Sequence, residues 1–427
     1  MLDIRPLSAP ERNLRGIDFF LLWAGVAISL AEIWAGGFLA PMGLWLGLTA
    51  IIIGHVIGNT FMGLGGLIGS DHGIMSMVSV RPSFGIRGSY LPAVLNIIQL
   101  IGWAAIMLII AGRAGTTLAG AIPGVPADAR FWIVTIGFGT LLWALLTGKT
   151  IWKIMQTLAV IALMLVVVMM SFVSFGRFYP TAGTVGPGDM PFMIGLDLVI
   201  AMPISWLPLV ADYSRFSARK GTVFWNTWWG YFIVSSWMYV LGLVATLATG
   251  ETDPGGLILR TLEQIGFAVP ALILVIFSTI TSDFPDVYSA TCSIMNISDR
   301  AGPKTVMWIA GILSIVVALF FPIDQYENFL LFIGAMFVPL FGVVLVDYFV
   351  IRKRKLVLDD LYRTGGAYWY YRGVNITAMC AWAAGFATFE VIAWMKWSVG
   401  GSLPSMAVAG LFYYLATRML GGEKRGT

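Results

Sequence analysis

Residues 191–216 read PFMIGLDLVIAMPISWLPLVADYSRF. The run opens as an apolar membrane span, and Pro203 and Pro208 bracket Ile204-Ser205-Trp206-Leu207 in its middle. Proline has no N–H and its ring clashes with the preceding turn, so this pair predicts a helix opened between its two members. In a bilayer core, backbone without hydrogen-bond partners is tolerated only where it lines a cavity or is buried in protein. The stretch therefore predicts an interrupted span, with Ser205 and Trp206 at the interruption forming one wall of a binding site. A plain proline kink would look the same in isolation, so the rest of the chain has to decide.

The composition places that stretch in a membrane protein. The 427 residues are 58% hydrophobic and 11% charged, with a mean hydropathy of +0.85, whereas soluble domains carry about 25% charged residues. The net charge of +4 does not point to nucleic acid, because the basic residues sit in short connections between apolar runs. Two cysteines, Cys292 and Cys380, and two histidines provide neither a disulfide framework nor a structural zinc site. Residues 1–16 are polar, and the apolar run after them is too long for a signal-peptide core. It is expected to be a retained first span.

Apolar runs of about 20 residues, the length that crosses a bilayer core, fall near 17–40, 44–68, 89–112, 131–148, 151–175 and 191–211. A second set falls near 222–249, 268–295, 305–322, 326–351, 375–395 and 402–420, which makes twelve spans. With the N-terminus inside, only Arg113, Arg130, Arg177, Arg260 and Lys396 of the 26 basic residues lie on the outer side. That bias predicts a plasma-membrane (bacterial inner-membrane) protein with both termini cytoplasmic. No separate soluble domain is expected. The basic connection 352–374 is expected to lie on lipid headgroups rather than to fold, and 255–266 to form a short amphipathic helix on the outer surface.

Span 1 carries a second interruption. Its sequence GVAISLAEIWAGGFLAPMG places Ser29, Glu32 and the Gly36-Gly37 pair at mid-membrane. Two interrupted spans, each opening a set of five, point to an inverted-repeat transporter with its site between them. The expected division is a repeat at 17–175, a second at 191–351, and two additional spans at 375–420. The fold class is thus all-α and polytopic.

Glu32 is the least expected residue in the chain, since a central acid costs about 2.5–3.5 kcal/mol on insertion scales and usually faces a cavity. It could accept donors from a substrate, bind a proton, or be a structural acid bonded to its neighbours. In span 8, Ser278, Thr281 and Ser282 repeat at i, i+3 and i+4 and share a helical face. Oxygen ligands of this kind suit a small hard cation, although such hydroxyls also bond back to their own helix. Asp283 stands beside them and Asp286 follows Pro285. Span 3 carries Asn96, Gln99 and Trp103, the last two on one face. Together with Trp206 they suggest a flat ligand held between two indoles, its edge met by an amide and by carboxylates. In span 2, His55 and Asn59 also share a face and are expected first as inter-helix hydrogen-bonding groups, second as a proton relay. No nucleophile elbow, phosphate loop or zinc-protease helix is present, so no enzyme is expected.

RPSFGIRGSYLP (81–92), IGW (101–103), SWLPLVADYSRF (205–216), VYSA (287–290) and VPLFGVVLVDYFVIRK (338–353) resemble the nucleobase–cation symporter-1 family, whose members include cytosine, purine and hydantoin permeases. The resemblance runs from about residue 12 to 395. Within the family, AEIWAGG (31–37) and SDFPD (282–286) look most like the CytX-type hydroxymethylpyrimidine transporters linked to thiamin supply. The resemblance implies a five-plus-five inverted-repeat fold shared with the sodium–neurotransmitter symporters. It also implies a substrate between Trp103 and Trp206, with Gln99 as the span-3 amide and Asp283 at the polar span-8 position. The substrate-binding set is then Ser29, Glu32, Gln99, Trp103, Ser205, Trp206 and Asp283. The implied sodium site takes the backbones of Gly25 and Ile28 with Ser278, Thr281 and Ser282, and Na⁺ is the one cofactor-like species expected. Glu32 and Asp283 are acids where relatives are expected to be neutral. They would suit a 4-aminopyrimidine, or could themselves carry the coupling proton. The expected function is import of hydroxymethylpyrimidine or a cytosine-like aminopyrimidine by a monomeric Na⁺- or H⁺-coupled symporter. A purine, other nucleobase or hydantoin permease is the alternative, ahead of a membrane enzyme. Alternating access would move spans 1, 2, 6 and 7 against spans 3, 4, 8 and 9.

Overall fold

The computed structural model describes residues 4–146, 149–178, 188–282, 284–298, 302–322 and 325–420. Among them the chain is helical, with two isolated β-bridges and no sheet. The first half holds α1 (Gly16–Ala27), α2 (Leu30–Gly37), α3 (Gly43–His72), the short α4 (Ser76–Ser79) and α5 (Arg81–Phe84), α6 (Tyr90–Ala121), α7 (Ala129–Leu146) and α8 (Lys149–Val173). The second half holds α9 (Phe192–Ile204), α10 (Leu207–Ser214), α11 (Thr222–Thr249), α12 (Pro254–Leu262), α13 (Ala268–Ser282), α14 (Phe284–Ile297), α15 (Pro303–Phe320) and α16 (Tyr326–Leu345). Two further helices close the chain, α17 (Ile376–Trp394) and α18 (Ser402–Leu420). Among the described residues the apolar runs are helical, and seven helical runs, Phe192–Ser214 among them, are long and apolar enough to cross a membrane unaided.

The chemistry of the two prolines explains the span-6 break. Pro203 sits inside α9, and Pro208 occupies the first turn of α10, where its missing N–H costs nothing. Between them the Trp206 N–H turns to the Pro203 carbonyl (3.2 Å), and the Leu209 N–H turns to the Trp206 carbonyl (3.0 Å). These tighter bonds release the Met202 and Ser205 carbonyls from the usual i+4 partners. Ser205 repairs the first loss itself, its Oγ donating to the Met202 carbonyl at 2.6 Å. The second carbonyl needs a donor from elsewhere.

Span 1 breaks without proline. Ile28 (ψ 86°) and Ser29 (φ −144°, ψ 143°) are extended, and the Ser29 Oγ accepts the Ala31 N–H at 3.2 Å as the cap of α2. The Gly36-Gly37 pair lies instead inside α2, where it allows contact with α11: a Cβ on Gly36 would lie 2.5 Å from the Tyr239 Cα. Opposite, Gly242 abuts the Ile33 carbonyl and the Gly37 nitrogen, 3.1 Å from where its own Cβ would stand.

Packing divides the helices into two groups. The segments α1, α2, α3, α9, α10 and α11 pack on one another, with α3 and α11 at their centre. A second group forms around α6, which takes α7, α13, α14 and α15, while α8 packs on α13 and α16 joins α9 to α17 and α18. These are the two sets of spans expected to move against each other.

The polar connections gather at two ends. At one, Leu14 pairs with Phe216 and Ala218, Leu7 with Gly73, and Arg87 with Gly373 through backbone bonds. Asp212, in the DYSRF stretch, accepts the Ser76 N–H at 2.9 Å at the start of α4. Residues 352–374 fold here rather than lying free, which corrects the expectation from sequence. Leu361 and Tyr368 are fully buried, Arg352 pairs with Asp347 (2.7 Å), and Arg354 grips Asp71 with two nitrogens. Hydrogen bonds to Asp71 hold the Arg354 guanidinium above its ordinary pKa. At the other end Arg113 meets Asp253 (3.7 Å), and Asp197 accepts the Gly401 N–H (2.5 Å). Residues 254–262 form the short helix expected there, capped by Asp253.

Candidate functional site

The Ser205 carbonyl freed by the span-6 break receives its donor from Gln99 on α6, whose Nε2 lies 2.8 Å away and also donates to the Asn96 Oδ1 at 2.9 Å. Because the carbonyl can only accept, this contact fixes the amide orientation: nitrogen toward the break, oxygen away from it. Asn96 in turn donates to the Ser293 Oγ (2.8 Å) on α14. Gln99 is 1% exposed, and its Oε1 has no hydrogen-bond partner among the described residues. One helical turn on, the Trp103 Nε1 is likewise buried and unpartnered. An unmet buried acceptor and an unmet buried donor on one face of α6 are costly, by about 1–3 kcal/mol each, unless a ligand meets them.

Aromatic rings frame the two atoms. Trp103 stands edge-on to Phe329 (5.5 Å) and Tyr326 (6.0 Å) of α16. Trp206, half-buried at the break, stands edge-on to Trp23 of α1 (5.7 Å) and donates from its Nε1 to the Tyr231 hydroxyl at 2.9 Å. The Gln99–Ser205 bond joins α6, which carries Trp103, to the broken span, which carries Trp206. Ser29, half-buried at the span-1 break, lies against Met107 Sδ (3.9 Å), one turn beyond Trp103 on α6. Both interruptions therefore meet α6 at adjacent levels.

Glu32 is directed into its own helix group. It is 3% exposed; its Oε1 accepts from the Tyr231 hydroxyl (2.5 Å), and its Oε2 accepts from the Ser235 Oγ (2.7 Å), both on α11. Ser235 also meets the His55 Nε2 at 2.6 Å, and the His55 Nδ1 meets the Ile51 carbonyl at 2.9 Å. His55 thus bonds between helices as its position suggested, whereas both amide atoms of Asn59 are buried without a partner among the described residues. Tyr231 and Ser235 escaped the sequence reading, although their i, i+4 spacing in YFIVSS of span 7 places two hydroxyls on one face.

The expected cation ligands lie at the end of α1 and on α13. Gly25 and Ile28 flank the turn that ends α1, with the Ile28 N–H donating to the Gly25 carbonyl at 3.3 Å. Ser278 is buried on α13, which packs mainly on α6, α7, α8 and α12. Asp283 and the side chains of Thr281 and Ser282 lie outside the described residues. Carbonyl and hydroxyl oxygens remain the donor chemistry that fits a small hard cation. Among the described residues no cluster of three His, Cys, Asp or Glu could hold a transition metal.

Comparison with known proteins places the chain in a family and a fold. The cytosine permease of Escherichia coli (strain K12) is 26% identical over 293 residues, covering 67% of this chain and 66% of that permease. The hydantoin permease of Microbacterium maritypicum is 27% identical over 355 residues, covering 74% of this chain and 68% of its own length. The inward-facing conformation of Mhp1 superposes with a TM-score of 0.88 at 21% identity, covering 99% of this chain and 94% of Mhp1, and shows the fold to be that of the inverted-repeat transporters. The family model for permeases of cytosine/purines, uracil, thiamine and allantoin matches residues 6–414. A helical membrane protein with two interrupted spans, and with this match along nearly its whole length, belongs to that permease family and is not an enzyme.

Proposed function

We propose that the protein is a secondary active symporter that imports an aminopyrimidine, hydroxymethylpyrimidine or a cytosine-like base, by alternating access, driven by Na⁺ or H⁺. The observation that carries the reading is the pair of unmet atoms on α6, the Gln99 Oε1 and the Trp103 Nε1. A 4-aminopyrimidine presents an exocyclic N–H next to a ring nitrogen, the donor–acceptor pair complementary to them. Trp206 across the junction offers a face for the ring, and base–aromatic stacking contributes about 1–3 kcal/mol. Ser29, Ser205 and Asp283 complete the proposed lining, and Glu32 supports it from behind Tyr231. Gly25, Ile28, Ser278, Thr281 and Ser282 are the proposed sodium ligands. A single chain can contain the whole proposed site, which supports a monomer. The clustering of residues 4–15, 70–90, 214–220 and 347–375 at one end supports two cytoplasmic termini.

The test is uptake of labelled hydroxymethylpyrimidine into proteoliposomes under an inward Na⁺ or H⁺ gradient, with unlabelled cytosine, uracil and hypoxanthine as competitors. Concentrative uptake blocked best by aminopyrimidines is the expected result. Competition led by hypoxanthine, with no accumulation of the pyrimidine, would move the assignment to purines. Trp103→Ala and Trp206→Ala should each abolish uptake in folded protein, and full transport by both would sink the site.

A further inference from the structure

The contacts around His55 define how many protons the centre of the bundle must hold. The Ile51 carbonyl can only accept, so the His55 Nδ1 carries a hydrogen. The Tyr231 hydroxyl receives the Trp206 N–H, and its own hydrogen points to the Glu32 Oε1. Ser235 has one hydrogen and two neighbours, the Glu32 Oε2 at 2.7 Å and the His55 Nε2 at 2.6 Å.

Two arrangements satisfy every contact. In the first, Ser235 donates to the Glu32 carboxylate, and an imidazolium His55 donates from Nε2 to the Ser235 Oγ. In the second, a protonated Glu32 donates to the Ser235 Oγ, and Ser235 donates to a neutral His55 Nε2. They interconvert when the His55 Nε2 proton passes to the Ser235 oxygen as the serine proton passes to Glu32, and they contain the same number of protons. Remove one, leaving a carboxylate and a neutral imidazole, and a single hydroxyl hydrogen faces two acceptors at hydrogen-bonding distance. One short contact must then break, leaving a buried acceptor unmet.

We propose that Glu32, Ser235 and His55 form one shared proton-binding site, and that its occupancy couples a proton to substrate through Tyr231 and Trp206. The coupling rests on the function proposed above; the shared proton does not. Tyr231 supplies the link, since its oxygen accepts from the indole of Trp206, at the span-6 break, while its hydrogen binds Glu32. A substrate that shifts Trp206 changes the hydrogen bonding of Glu32, and protonation of Glu32 changes the seat of Trp206.

The remaining titratable groups packed around the site leave the proton to it. Tyr239 of α11 stands edge-on to the imidazole (5.0 Å), and Tyr326 of α16 donates to the Ala31 carbonyl (3.1 Å). The acids on adjoining helices are engaged elsewhere: Asp18 on α1 accepts the Arg15 N–H, Asp197 on α9 the Gly401 and Ser402 N–H groups, and Asp212 on α10 the Ser76 N–H. Among the described residues, neither Lys nor Arg forms an ion pair with Glu32.

Two measurements on the full-length protein in liposomes test this. The first needs no substrate: infrared difference spectra between acid and alkaline buffers. The carboxyl and imidazole bands should titrate together, and His55→Gln and Ser235→Ala should each displace the carboxyl titration assigned by its loss in Glu32→Gln. A carboxyl titration that neither variant moves would overturn the shared proton. The second records proton entry into dye-loaded proteoliposomes when cytosine, hydroxymethylpyrimidine or hypoxanthine is added. Substrate uptake with a proton-to-substrate ratio that falls to background in Ser235→Ala is the expected result. Uptake by wild type without proton entry would overturn the coupling while leaving the transport reading intact. No uptake of any of the three bases would refute the substrate assignment, and the infrared titration would still decide whether the proton is shared.

Discussion

Replacing Gln99 by leucine separates structural from ligand-binding energetics at the junction. The leucine keeps most of the volume, so little cavity opens, but the Ser205 carbonyl and the Asn96 Oδ1 lose donors at 2.8 and 2.9 Å. A buried acceptor left unmet costs about 1–3 kcal/mol, while inter-helix hydrogen bonds measured in membranes average ~0.6 and reach ~1.7 kcal/mol. A stability loss of about 1–2 kcal/mol follows, read as a lower midpoint of thermal unfolding in detergent. The ligand loses its acceptor, the Gln99 Oε1, with a second penalty of about 1–3 kcal/mol, or roughly 5- to 150-fold in Kd. Gln99→Glu, as a carboxylate at alkaline pH, makes the complementary cut: it retains an acceptor and loses the donor to Ser205, so it should lose stability like the leucine variant while binding better than it. The assay is equilibrium binding of labelled cytosine and hydroxymethylpyrimidine to purified protein, with unfolding midpoints recorded in parallel. Wild-type affinity for both bases in a folded Gln99→Leu variant would refute the reading of the α6 face.

Other substitutions probe the frame that holds the site. Gly242→Ala should drive α2 off α11, because the new methyl meets the Ile33 carbonyl group head-on; overpacking of this kind costs about 1–3 kcal/mol or more, and monodisperse protein should fall sharply on size-exclusion chromatography. Arg352→Ala leaves the Asp347 carboxylate, 1% exposed, with Ser83 and Tyr413 as its side-chain partners among the described residues, and loss of one partner of a buried ion pair costs about 3–5 kcal/mol. Asp347→Asn in the same chain should restore much of that loss, a non-additivity that a double-mutant cycle of unfolding midpoints measures. Arg354→Ala should cost less, because that side chain is 46% exposed and Tyr348 still donates to Asp71; the deficit should shrink in high salt.

The span-6 interruption was legible because proline acts locally: two missing N–H groups reroute the backbone whatever surrounds them. The helical, membrane-spanning character of the chain was legible from hydropathy. The span-1 interruption was legible in region but not in residue. Without proline the break falls at Ile28-Ser29, and Gly36-Gly37, which looked like part of it, serves contact with Tyr239 and Thr246 on another helix. Residues 352–374 were misjudged for a related reason. A basic segment beside a bilayer looks headgroup-bound until Asp71 and Asp347 are known to wait for Arg354 and Arg352, and Asp71 lies far back in the chain. Glu32 announced itself as improbable, yet nothing near it in sequence names Tyr231 or Ser235 as its partners. Long-range pairing of this sort is set by helix packing, and local composition does not encode it.

The glycine contacts between α2 and α11 have a mechanical consequence. Where Gly242 rests on the Ile33 carbonyl and Gly36 on the backbone of Tyr239, main chain bears on main chain, without side chains between them to change rotamer. Such a joint is stiff, because packed interiors compress little. The half-helix that carries Glu32 is therefore geared to the helix that carries Tyr231 and Ser235, and the two turn as one lever. Any rearrangement between this lever and α6 has to be taken up where side chains are pliant, as at Met107 against Ser29, and at the amide link from Gln99 to the broken span.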